Sequence, residues 1–192
     1  MKINKKSLSR FAVFFLSVFS IGSLYMNNLY AWSAGTQAYV TGAPGDNGSC
    51  NVCHFALNSG SATFSINVPA TVRPRRYVRV TVVFATAIGT KHGFEMTALD
   101  ANGNRVGTFK NIGNTTQVIL PNDSRGLQSK DRGKYIEQTT AGTSEKSWAV
   151  KWKAPAGATN PITFYAAGID ADGNGNFNND LVYTATAKTN AR

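Results

Sequence analysis

Short runs of alternating apolar and polar residues dominate the chain after residue 61. Residues 62–68 (ATFSINV) and 77–84 (YVRVTVVF) change character at nearly every step, the period of a strand with one buried face. A third run, 92–99 (HGFEMTAL), is separated from 105–109 (RVGTF) by Asp100-Ala101-Asn102-Gly103-Asn104. The Asn-Gly step inside that separator predicts a hairpin turn. Further runs occupy 115–120, 135–140, 147–153, 162–167 and 181–186, divided by Gly, Asn, Asp and Pro. Strands this short and this evenly spaced predict an all-β domain, an antiparallel β-sandwich over residues 61–187. No segment after the first thirty residues carries the period of an amphipathic helix.

Two stretches fall outside that pattern. Residues 32–60 are rich in Gly, Ser and Asn, show little periodicity and contain both cysteines. They read as an irregular arm that packs back onto the sandwich, the two forming one domain over 32–192. Residues 1–31 begin with Lys2, Lys5, Lys6 and Arg10, continue through an apolar run from Phe11 to about Tyr25, and end on Leu29-Tyr30-Ala31. A basic start, an apolar centre and a small final residue are the parts of a secretory signal. The run is shorter than the roughly 20 residues that cross a bilayer, so the expectation is cleavage near Ala31 and no stable membrane insertion afterwards. The mature chain would then be periplasmic or extracellular.

Charge narrows the partners. The chain has 20 Lys+Arg and 10 Asp+Glu. Four of the basic residues and none of the acidic ones precede residue 32, which leaves +6 on the mature part. Such a surface favours acidic proteins, lipid headgroups or anionic polysaccharides. No nucleic-acid-binding motif is present. Few carboxylates also means fewer groups whose protonation destabilises a fold, which suggests an acidic surrounding medium.

The chemistry concentrates at Cys50-Asn51-Val52-Cys53-His54, a complete Cys-x-x-Cys-His pattern that holds the only two cysteines. Two thiols at this spacing suit thioether bonds to the two vinyl groups of one haem, and the next imidazole suits its iron. The expectation is haem c, one per chain, held by Cys50 and Cys53 with His54 as proximal ligand. A Cys50–Cys53 disulfide remains open in an oxidising compartment. A thioredoxin-like pair lacks its βαβ context. A zinc site would draw on Cys50, Cys53, His54 and His92. For the sixth iron position the candidates are His92, the only other histidine, and Met96. On a strand both share a face with Phe94, which would pack on the macrocycle.

A second candidate is 170–180 (DADGNGNFNND), where Asp170, Asp172, Asn174 and Asn176 alternate as in a calcium loop. The position that needs a bidentate Glu is Leu181, so a polar hairpin loop is the favoured reading and calcium at Asp170, Asp172 and Asn174 the alternative. Trp148, Trp152, Phe164, Tyr165 and Tyr183 sit within β runs and suit core packing.

Together these segments resemble the bacterial Reeler-like, or choice-of-anchor V, domain family. The resemblance rests on 41–54 (TGAPGDNGSCNVCH), 93–100 (GFEMTALD), 105–109 (RVGTF), 135–139 (YIEQT), 148–155 (WAVKWKAP) and 163–175 (TFYAAGIDADGNG). It implies a β-sandwich with the haem motif on an N-terminal arm, and a hairpin at the Asp/Asn loop. Gln138 stands where family members often carry a histidine, a natural distal ligand missing here. In size, export, basicity and carboxylate shortage the chain also looks like the soluble monohaem cytochromes of acidophilic iron-oxidising bacteria. The functional expectation is a one-electron carrier between an upstream donor cytochrome and a downstream oxidase, not an enzyme. An adhesion module with a disulfide and a haem-based gas sensor or haem enzyme are the alternatives. No catalytic triad, carboxylate pair or phosphate loop points to hydrolysis or phosphoryl transfer.

Overall fold

The runs at 77–84 and 147–153 become paired strands with unchanged limits, and the run at 62–68 shortens to a strand over Phe64–Asn67. A computed structural model describes residues 32–54, 56–57 and 61–192, with only the backbone described at 56–57. The expected export signal at 1–31 lies outside the described residues. Eleven strands are described: β1 Ala56–Leu57, β2 Phe64–Asn67, β3 Thr71–Val72, β4 Tyr77–Phe84, β5 Lys91–Leu99, β6 Thr108–Asn111, β7 Thr116–Val118, β8 Ile136–Gln138, β9 Ser147–Lys153, β10 Ile162–Ala171 and β11 Leu181–Ala191. Short 3-10 turns at Cys50–Val52, Ser129–Asp131 and Thr140–Ser144 are the helical elements among the described residues.

The strands form two packed sheets, an antiparallel β-sandwich. One sheet runs β1-β11-β10-β5-β8-β7, with β3 also on β11, and the other runs β2-β4-β9-β6. Only the short edge strands β1 and β3 pair in parallel, both with β11. Side chains of alternate residues meet between the sheets. From the larger sheet come Phe94, Met96 and Ala98 of β5, Ile162, Phe164 and Ala166 of β10, and Tyr183 of β11. The smaller sheet answers with Val80, Val82 and Phe84 of β4 and with Trp148, Val150 and Trp152 of β9. Gly168 lets this layer close, because a Cβ there would lie 2.6 Å from the Phe64 ring.

The predicted hairpin after β5 closes but does not continue. Asp100 N donates to Asn104 O, Val106 N donates to Ala98 O, and Leu99 bridges to Arg105. The chain then crosses to the other sheet, where β6 pairs with β9. Phe109 thereby reaches the common core beside Phe164, with ring centroids 6.3 Å apart.

The larger sheet is buried on both sides. Along β5 every residue after Lys91 is buried, because residues 36–50 cover the outward face that alternation gives to Glu95 and its neighbours. The arm is fastened by polar anchors. Tyr39 N and Val40 N donate to the two carboxylate oxygens of Glu95, at 3.1 and 2.9 Å. Thr36 N donates to Glu137, which also pairs with Arg125 and accepts from Gln117 Nε2. Asp46 accepts from Thr41 Oγ1, Tyr135 OH and Arg105 Nη2, each at 2.6 Å.

Candidate functional site

The motif forms a tight turn because its flanking side chains satisfy the local backbone. Ser49 caps the 3-10 turn at Cys50–Val52, its hydroxyl accepting from Asn51 N and donating to Asn51 Oδ1. Val52 N donates to Ser49 O, and both Cys53 N and His54 N donate to Cys50 O. Cys50, Cys53 and His54 are therefore held on one compact turn. Two residues later the chain adds β1 to the edge of the larger sheet, in register Ala56 to Leu181. That pairing sets His54 beside Asp180, the residue before β11.

His54 Nδ1 lies 2.8 Å from Asp180 Oδ2, with the side chains 13% and 2% exposed. The contact does not have the geometry of an aligned hydrogen bond. A carboxylate beside Nδ1 favours keeping the ring proton on that nitrogen, which leaves the Nε2 lone pair available to a metal. Asp180 Oδ1 is buried without a hydrogen-bond partner, which fits a carboxylate committed to the imidazole.

The two cysteines differ. Cys50 is buried against Ala167, Val182 and Ile169 on the outward face of the larger sheet, its thiol 4.0 Å from Val40 O. Burial pushes this thiol far above the usual thiol range, and the Glu95 carboxylate adds to the effect. Cys53 is exposed, and both cysteines are unbridged. An apolar patch, an exposed thiol, a second thiol at the patch and an imidazole with free Nε2 suit thioether attachment and axial ligation of a haem.

The structure does not bring His92, Phe94 or Met96 to this turn. The three share one face of β5, as alternation predicts, but it is the inward face. Met96 pairs with Ala166 and Phe94 with Gly168 across β10, whereas Cys50 packs on Ala167 and Ile169, which point the other way. Phe94 packs on Trp148 with ring centroids 4.9 Å apart, and Met96 is fully buried between the sheets. His92 is buried at the end of the same layer, its Nε2 3.2 Å from Asp170 Oδ1 and its ring 5.8 Å from that of Phe84. Burial holds the His92 pKa below its usual value, with Asp170 opposing. The expected roles of His92 and Met96 as distal ligands, and of Phe94 as haem packing, do not fit this arrangement because a whole sheet intervenes. Gln138 accepts from Phe94 N at 2.7 Å and lies over Gly93.

In the Asp/Asn loop the oxygens are used locally. Asp172 accepts from Asn174 N, Asn174 from Asn176 N and Asn176 from Asn178 N, a chain of Asx turns. Asp170 faces elsewhere, accepting from Ile88 N and Gly89 N. The loop oxygens that calcium would need are thus serving the hairpin backbone, and no group of three His, Cys, Asp or Glu is placed to hold a metal ion among the described residues.

Sequence reasoning missed three carboxylates that build the site: Asp180, Glu95 and Glu137. The two glutamates had a legible trace. A single Glu inside an otherwise apolar run, as in GFEMTAL and YIEQT, is costly to bury and so marks a paired carboxylate. Asp180 follows Asn178 and Asn179 and was indistinguishable from turn residues. No protein-family model matches the chain, and no curated protein matches it.

Proposed function

We propose that the chain is an exported c-type cytochrome with one covalent haem, working as a one-electron carrier. The observation that carries this reading is the Cys50–His54 turn set on the outward sheet face with Asp180 at His54 Nδ1. A bound haem supplies one-electron chemistry between ferrous and ferric iron. In this reading Cys50 and Cys53 hold the porphyrin, His54 Nε2 faces the iron, and Asp180 orients the imidazole and raises its basicity. Ala167, Ile169 and Val182 exclude water from one side. In the carrier reading the sixth position is filled by a group other than His92 or Met96.

A resemblance to Reeler-like domains and to the monohaem cytochromes of acidophilic iron oxidisers is consistent with this role, with a donor cytochrome and a terminal oxidase as partners. The test is expression beside haem-attachment machinery, followed by a pyridine haemochrome assay and intact mass. A covalent haem, reducible and reoxidisable by small mediators, is the expected outcome. Carbon monoxide binding to the reduced protein would place it among sensors or enzymes instead.

A further inference from the structure

We propose that the outward face of the four-stranded sheet is a docking surface for an anionic lipid membrane. Strand register sets Lys110 of β6, Lys151 of β9 and Arg79 of β4 side by side in one row. Neighbouring strands lie about 4.8 Å apart, so three like charges are lined up at close spacing, an arrangement that costs stability in isolation. The next outward row carries Lys153 opposite Tyr77, its Nζ 5.9 Å from the ring centroid. Arg73, Arg75 and Arg76 precede β4, and their turn is tied to the end of β9 by Arg75 N donating to Ala154 O and Ala154 N donating to Arg76 O. All seven cations are exposed.

Nothing acidic balances them. The four strands of this sheet contain no Asp or Glu, and neither do residues 55–94 or 146–169. None of the seven joins the described ion pairs, which use His54, His92, Arg105 and Arg125. A partner supplies the missing anions.

Three features choose a lipid surface over a polymer or an acidic protein. The cations spread over two rows and a turn, an area that matches a charged plane, whereas a single polyanion chain is gripped along one line. Tyr77 is 51% exposed among them, the amphipathic ring that membrane interfaces favour. The face also lies on the far side of a second sheet from Cys50 and His54, so a redox partner docked here would be remote from the motif. A membrane docked here leaves the motif face free.

The test is co-sedimentation of the mature chain with phosphatidylcholine vesicles, with and without phosphatidylglycerol. Binding is expected only with phosphatidylglycerol, and it should fall on the order of fivefold for each of Arg79→Gln, Lys110→Gln and Lys151→Gln. It should also vanish at high salt. Lys188→Gln, on the other sheet, serves as the control and should lose much less. Equal partition to both vesicle types, no partition at all, or capture by soluble dextran sulfate without vesicle binding would overturn the proposal. The readout is independent of haem, so it separates from the cytochrome assignment.

Discussion

At the scale of single residues, two unequal thiols and one carboxylate distinguish the motif. Cys53 is exposed while Cys50 is buried with its thiol held protonated, and thiolate is the reactive form. In the folded haem-free chain, a thiol-alkylating reagent should modify Cys53 and leave Cys50 protected until denaturant is added. Peptide mass analysis reads this directly, and equal labelling of both would contradict the placement of Cys50. Asp180→Asn should leave haem attachment intact and raise the reduction potential, since the imidazole loses the carboxylate that strengthens its donation. Redox titration checks this, and an unchanged potential would mean that Asp180 is merely structural. Cys50, Cys53 and His54 were legible because their spacing encodes a chemical task. Asp180 was not, because its proximity to His54 arises only when β1 pairs with β11.

At the scale of elements, periodicity located most strands and left their environment undecided. Runs 77–84 and 147–153 coincide with β4 and β9, whereas β1 and β3, two residues each, are too short to show a period. Alternation correctly grouped His92, Phe94 and Met96. It could not say which face of β5 meets the motif, because the arm buries the second face as well. Met96→Leu should therefore leave the optical bands of the haem protein unchanged, and Met96→Ala should cost about 2–5 kcal/mol of stability through a core cavity. A shifted spectrum in the leucine variant would restore Met96 as an iron ligand. The clamp between arm and sheet predicts a pH dependence. Burial raises the Glu95 carboxyl to about 8, against two amide hydrogen bonds that favour its charged form. The folded state then binds a proton that the unfolded chain has already lost, so stability falls as pH rises from the unfolded value, near 4.5, through 8. His92, with its lowered pKa, acts oppositely below its unfolded value of 6.5. Between pH 6.5 and 8 the Glu95 effect stands apart, at no more than about 1.4 kcal/mol per pH unit. Chemical denaturation of wild type across that window should show stability rising as pH drops, and Glu95→Gln should flatten the slope. A wild-type slope of the opposite sign would contradict a protonated Glu95.

At the scale of the whole molecule, the two outward faces of the sandwich differ in what they carry. One carries the arm, the motif and the buried carboxylates, and the other carries the exposed cations. Charge composition alone showed an excess of basic residues, but strand register was needed to place Lys110, Lys151 and Arg79 in one row. No helix among the described residues is long and apolar enough to cross a membrane. A pyridine haemochrome assay with intact mass, on the mature chain produced beside haem-attachment machinery, tests the proposed covalent haem. The account predicts one haem per chain, retained after denaturation and lost when Cys50 and Cys53 are both replaced by Ala. A haem-free chain with Cys50 and Cys53 joined as a disulfide would contradict it.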